Sequence, residues 1–169
     1  MKNLTLIPFN LPGKIHRSPM PFATFDADYS TLDEYLQAGI DTVVMLIEPG
    51  EDLWRANMDL THVYAENEIG VLHYPIVDFD TPEDHDGLRD LLQQVINRAK
   101  QGENIAVHCF AGRGRTGMFI ALLTRILLGM DGPEAIAWVR QYFPAIETQE
   151  QEQVVIEFDL SEKTEINGS

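Results

Sequence analysis

The run Val43-Val44-Met45-Leu46-Ile47 has no polar side chain on either of its alternating faces. A strand of this kind cannot lie against water on one side. It must be covered on both, as in parallel sheets sandwiched between helices. Ile105–His108 is another short buried strand, Val71–Val77 reads as a strand, and Lys14–Met20 can form a fourth closed by Pro19 and Pro21. Helical stretches are expected between and after them: Asp28–Ala38 ended by Gly39, Leu60–Glu68 ended by Gly70, Thr81 to about Gln101, Gly114 to about Leu128, Pro133–Tyr142 and Gln149–Asp159. Thr81 followed by Pro82, Glu83 and Asp84 carries the marks of a helix start, with Thr81 as cap. The alternation of strand and helix predicts an α/β fold, a mainly parallel sheet of four to five strands with helices on both faces. Ligands in such sheets bind beyond the carboxyl ends of the strands.

The 169 residues, 44% of them hydrophobic, fit one domain with a full core. Residues 1–13 are expected as an extended lead-in and 161–169 as a loose tail. With 12 Lys and Arg against 27 Asp and Glu, the net charge is 12 − 27 = −15. Such a chain is repelled by nucleic-acid backbones and anionic membranes, so no nucleic-acid binding is expected. The longest apolar run, Met118–Leu123, is too short to span a bilayer. No signal peptide is read at the N-terminus, and a lone cysteine, Cys109, points to a reducing cytoplasm and precludes an internal disulfide. His16, His62, His73 and His85 lack metal-ligand spacing, so no metal and no cofactor are expected. Trp54 and Trp138 read as core residues, and Glu147–Glu157 as a solvated helix face.

The densest chemistry lies in His108-Cys109-Phe110-Ala111-Gly112-Arg113-Gly114-Arg115-Thr116-Gly117, between a buried strand and a helix start. Glycines let successive backbone N–H groups turn toward one point, and the helix adds its positive end. Phe110, Ala111, Gly112, Arg113, Gly114 and Arg115 can thus cradle a tetrahedral oxyanion, with Arg115 gripping two of its oxygens. The same field would keep Cys109 as thiolate, ready to attack phosphorus and form a cysteinyl-phosphate. The Thr116 hydroxyl can donate to the sulfur. A leaving alkoxide or phenoxide needs a proton, and Asp78 and Asp80 compete to supply it. Asp80 adjoins Thr81 and can instead serve as a capping acid.

The pattern His-Cys-x5-Arg-Thr-Gly resembles the signature of the cysteine-dependent protein tyrosine and dual-specificity phosphatases. Tyr74-Pro75-Ile76-Val77-Asp78 and Ala145-Ile146-Glu147-Thr148-Gln149-Glu150-Gln151 resemble two more segments of the compact subgroup that holds kinase-associated phosphatase and the phosphatase-and-tensin family. The resemblance implies the single-domain cysteine-phosphatase fold and hydrolysis of a phosphomonoester, chiefly in phosphorylated proteins. It implies Asp78 as general acid, His108 as support behind the loop, and Gln151, or its neighbour Gln149, as the residue that guides water. Arg113 stands where a basic residue accompanies phosphoinositide activity, yet Phe110 replaces a second basic position. The same chemistry on a phosphoinositide, an inositol phosphate or an RNA 5′-phosphate is one alternative. A non-catalytic phospho-residue binding module on the same scaffold is another.

Overall fold

The computed structural model describes residues 1–161, so residues 162–169 of the expected tail lie outside the described residues. Five strands form one sheet in the order β1-β2-β5-β3-β4. They are β1 (Thr5–Ile7), β2 (Ile15–Ser18), β3 (Thr42–Met45), β4 (Gly70–His73) and β5 (Ile105–His108). All neighbours run parallel except β1, which lies antiparallel on β2 with Thr5 opposite Arg17 and Ile7 opposite Ile15. The expected lead-in therefore contributes a strand: Leu4 and Ile7 are buried, and their burial outweighs the breaking effect of Pro8 and Pro12 just beyond.

The two-sided burial of the central strands sorts the core. Val44, Leu46, Ile105 and Val107 point into a cluster completed by α4 (His85–Lys100), α5 (Gly114–Leu128), α6 (Gly132–Val139) and α7 (Gln149–Glu157). Val43, Met45, Ile47 and Ala106 point the other way, against Tyr35 of α1 (Thr31–Ala38) and Leu60 and Tyr64 of α3 (Leu60–Glu66). Period-2 alternation thus serves two cores, as a sheet with helices on both faces requires.

Several boundaries differ from the sequence expectation. Residues 28–30 do not continue α1; a 3-10 turn at Ala27–Tyr29, with Asp28 and Tyr29 at positive φ, precedes it. The strand expected through Val77 ends at His73, and residues 74–80 run on as loop. Thr81 does not cap α4. Asp84 does, its carboxylate accepting from Gly87 N at 2.9 Å while its carbonyl accepts from the Tyr74 hydroxyl at 2.5 Å. A short helix, α2 (Glu51–Ala56), follows Pro49-Gly50, where only a break was expected. Its Trp54 is 70% exposed rather than core. Trp138 is partly buried, stacked on Phe9 and meeting Tyr142 edge-on.

Candidate active site

Parallel strands β5, β3 and β2 end on the same edge of the sheet, and the loop Cys109–Arg113 rises there between β5 and α5. Every carbonyl of this loop accepts a hydrogen bond from outside it. Cys109 O accepts from His108 Nδ1 and Phe110 O from Met20 N, each at 2.9 Å. Ala111 O and Gly112 O accept from the Arg17 guanidinium at 3.0 and 2.6 Å. Arg113 O accepts from Gly117 N and Ile146 N. Because a peptide plane points its C=O and N–H in opposite directions, carbonyls pinned outward turn the loop amides inward. Gly112 makes the closest approach: at φ +72° a Cβ there would lie 2.1 Å from Ser18 O. Only glycine fits between the loop and the end of β2.

Cys109 is buried at the foot of this loop. Behind it, His108 is fully buried and bonded at both ring nitrogens, Nδ1 to Cys109 O and Nε2 to the Tyr64 hydroxyl at 2.8 Å. A carbonyl can only accept, so Nδ1 carries the hydrogen and Nε2 accepts from Tyr64. Burial lowers the His108 pKa to about 4, against a smaller opposing effect of its bond to Cys109 O. Burial likewise raises Tyr64 well above its ordinary value, so the hydroxyl keeps its proton. His108, expected as support behind the loop, lies between the Cys109 carbonyl and the Tyr64 hydroxyl. Arg17, also pressed into the protein, has its pKa lowered by burial to about 10, and remains charged at neutral pH.

Arg115 is wholly buried. Its two terminal nitrogens meet the two Glu51 oxygens at 2.8 Å each, and Nη1 also donates to Ile76 O at 2.9 Å. Nη2 lies 3.2 Å from Asp78 Oδ1. Nε is buried with no hydrogen-bond partner. Burial opposes its charge, but Glu51, Cys109 and Asp78 together hold Arg115 above its ordinary pKa. Glu51 shifts the opposite way. Burial alone would raise it, while the Arg115 bond, the Glu48 N–H and the charges of Arg115 and Arg55 lower it.

Asp78 Oδ2 also pairs with Arg55 Nη2 at 2.9 Å. Arg55 Nε lies 3.0 Å from Glu51 Oε1, an ion pair by distance, though the N–H is not aimed well enough for a hydrogen bond. The guanidinium of Arg55 is held between two rings, 4.3 Å from the Trp54 centroid and 3.8 Å from that of Phe110. Phe110 in turn meets Phe25 edge-on at 5.1 Å, and the exposed Arg113 lies 5.3 Å over Phe25. The mouth of the loop is therefore an arc of three rings and two cations, with Arg55 between Trp54 and the Phe110–Phe25 pair and Arg113 at the far end.

Of the sequence candidates, Cys109, His108, Arg115 and Asp78 converge, through the His108–Cys109 bond and the charges set around Arg115. Asp80, unlike Asp78, pairs with neither Arg115 nor Arg55; its carboxylate accepts from Thr81 N at 2.8 Å. Thr116 Oγ1 is buried without a hydrogen-bond partner, so the expected bond to sulfur is not formed here. Gly114 N donates to Glu147 Oε1 at 2.9 Å, which removes that amide from the expected set of oxyanion donors. Gln151 is fully buried, not a solvated helix residue. Its Oε1 accepts from Glu147 N and Thr148 N, and its Nε2 donates to Asp80 O. Gln149 is exposed. The sequence reading missed Glu51, Arg55, Arg17, Tyr64 and Glu147. The i, i+4 pair of Glu51 and Arg55 after Pro49-Gly50 was the one signal that could have exposed the first two. Among the described residues no group of three or more His, Cys, Asp or Glu side chains could hold a metal ion, and no helix is long and apolar enough to cross a membrane.

Comparison with known proteins is consistent with this geometry. A protein tyrosine phosphatase, Tk-PTP, solved in its active form, is 30% identical with a TM-score of 0.74, covering 91% of this chain and 95% of its own. Kinase-associated phosphatase, solved with its catalytic-site cysteine replaced by serine, shares the fold at a TM-score of 0.81, with 22% identity and 92% of each chain covered. An uncharacterised protein of Methanocaldococcus jannaschii is 35% identical over 96 residues, 54% of this chain and 60% of that protein. The chain thus spans between a half and two thirds of the length of the first curated relatives it matches. Residues 18–127 match the model of a family described as polymorphic toxin system, DSP-PTPase phosphatase, and with its cysteine loop, arginine and fold in place, the chain belongs to the DSP-PTPase phosphatase family.

Proposed function

We propose that the protein hydrolyses phosphomonoesters through a cysteinyl-phosphate, with phosphorylated protein side chains as its substrates. One observation carries the reading. Arg115, buried and charged, is fixed by Glu51 on both terminal nitrogens and keeps Nε without a protein partner, at the start of the helix that follows a cysteine loop whose carbonyls all point outward. That arrangement is preorganised for a tetrahedral dianion and requires little rearrangement when charge builds up at phosphorus.

In the first step the Cys109 thiolate forms a bond to phosphorus while the P–O bond to the leaving group breaks. Asp78 gives its proton to the departing oxygen. In the second, water attacks phosphorus, Asp78 takes its proton, and the S–P bond breaks to release phosphate and restore the thiolate. Gln151, buried between the Glu147 loop and Asp80 O, gives one Nε2 hydrogen to Asp80 O and keeps the second to orient that water. Thr116 Oγ1, with no other partner, is the hydroxyl that can support the departing sulfur.

The test is a panel of phosphotyrosine and phosphothreonine peptides, an aryl phosphate, a soluble inositol phosphate and an RNA 5′-phosphate, run on the wild type and on Cys109→Ser. Turnover of the peptides above the other compounds, lost in Cys109→Ser, is the expected result. Turnover that survives in Cys109→Ser overturns the mechanism. Phosphopeptide binding without turnover of any compound identifies a binding module instead. The exposed Arg113 at the mouth is the reason for including the inositol phosphate.

A further inference from the structure

We propose that Arg55 is a positioning residue for the proton donor. This rests on the reading of Asp78 as that donor. Four alternating charges close a ring: Glu51 to Arg115 at 2.8 Å, Arg115 to Asp78 at 3.2 Å, Asp78 to Arg55 at 2.9 Å and Arg55 to Glu51 at 3.0 Å. Three separate segments supply them. Arg115 comes from α5, Asp78 from the loop after β4, and Glu51 and Arg55 from one turn of α2. The loop bearing Asp78 has no regular structure of its own between residues 74 and 80. Within the loop its carboxylate is held only by the Phe79 N–H; its other contacts come from Arg55 and Arg115.

Arg55 is suited to that work, because its own freedom is already removed. Its guanidinium is clamped between Trp54 and Phe110, and its side chain is only 16% exposed. A planar cation stacked on two rings has lost most of its rotational entropy before it meets a partner. The two carboxylate oxygens of Asp78 then have different duties. Oδ2 is anchored by Arg55. Oδ1 faces Arg115 and accepts the Phe79 N–H at 3.0 Å. A phosphoryl dianion in the loop competes for Arg115 and brings negative charge beside Oδ1. Oδ1 is therefore the oxygen that carries the proton to the leaving group, while Arg55 keeps the carboxyl from swinging away.

A residue acting in this way matters only as far as the reaction needs a proton. General acids contribute roughly 10²- to 10⁴-fold, so Arg55→Met is expected to lower kcat by about 10- to 100-fold for phenyl or alkyl phosphates. For 2,4-dinitrophenyl phosphate, whose leaving group needs no proton, the loss is expected to stay below about 3-fold. In an Asp78→Asn background the same change is expected to alter kcat by less than about 3-fold, since both substitutions remove one function. Arg55→Lys, which restores a cation without the planar fork, is expected to recover part of the activity on poor leaving groups with KM unchanged. Should Arg55→Met fail to fold by circular dichroism, Arg55→Lys and Arg55→Gln carry the same comparison.

Equal losses on all leaving groups, or a further loss of more than about 10-fold in the Asp78→Asn background, overturn the proposal. The underlying reading fails separately. If Asp78→Asn shows no dependence on the leaving group, Asp78 is not the donor. If Asp78→Asn shows it and the Arg55 variants do not, only the role of Arg55 falls.

Discussion

Glu51 and Arg115 meet as a two-pronged pair, Nη1 on Oε2 and Nη2 on Oε1, each at 2.8 Å, with the side chains 1% and 0% exposed. Each charge has a second counter-ion, Arg55 for Glu51 and Asp78 for Arg115, but only this contact satisfies both ends of a buried pair. Glu51→Ala is therefore expected to destabilise the protein by about 3–5 kcal/mol in urea unfolding and to weaken phosphate inhibition, because Arg115 loses the contact that orients it. The pair also has a pH signature. Glu51 is held below its ordinary value of 4.5 in the fold. Its contribution is thus complete above pH 4.5 and is lost as pH falls through the lower folded value. Glu51→Gln should remove that part of the acid sensitivity, as read from unfolding midpoints against pH.

A second pH effect comes from His108 and has a different window. The unfolded chain gains a proton near 6.5, whereas the folded chain resists until about 4. Between those values the unfolded state binds more protons, so stability falls as pH drops from 6.5 to 4. At 1.36 kcal/mol per unit the loss from this group is about 3 kcal/mol. Denaturant titrations of wild type and His108→Gln across that range should diverge, with the variant showing the flatter dependence.

The two aspartates next to the mouth are separable by activity. Asp78→Asn is expected to lower kcat on phenyl phosphate by about 10²- to 10⁴-fold, and Asp80→Asn by no more than about 3-fold. Both carboxylates accept the N–H of the following residue, and the geometric reason is that only Asp78 also reaches Arg115 and Arg55. Steady-state rates for the two variants decide it, and a larger loss at Asp80 would reverse the assignment.

Gly112→Ala tests the tight passage between the loop and β2. The new Cβ would stand 2.1 Å from Ser18 O and 2.6 Å from Arg17 Nη2, on a backbone at φ +72°. The left-handed conformation and the overpacking together are expected to lower stability by roughly 2–4 kcal/mol. Turnover should fall further than stability explains, because the Arg17 bonds to Ala111 O and Gly112 O cannot both survive. Thermal melts and kcat on one aryl phosphate, measured on the same preparation, separate the two effects.

The fold was readable where the sequence carried a period. Val43–Ile47 and Ile105–His108 could only be doubly covered strands, and Gly114–Leu128 had length, pattern and a terminal glycine. β1 escaped because three residues next to prolines carry too little pattern, and only pairing with β2 makes them a strand. α2 escaped because six residues exposing Leu53 and Trp54 show no apolar face. The site divided the same way. Cys109, Arg115 and the glycines are neighbours in the chain, so their spacing announced them. Glu51 and Arg17 come from 64 and 98 residues away from Arg115 in the chain (115 − 51 and 115 − 17), and only the sheet edge brings them together. Gln151 was found by its segment, but its burial between Glu147 and Asp80 could not be seen in an acidic stretch.

Trp54, 70% exposed and stacked on Arg55, gives the molecule a built-in optical reporter at its mouth. The chain's other indole, Trp138 of α6, packs on Phe9 and Tyr142 instead. Emission from the first therefore follows events around the reacting centre, whereas the second supplies a steady background. Occupancy by an unlabelled oxyanion, vanadate among them, becomes visible in plain fluorescence without any dye attached.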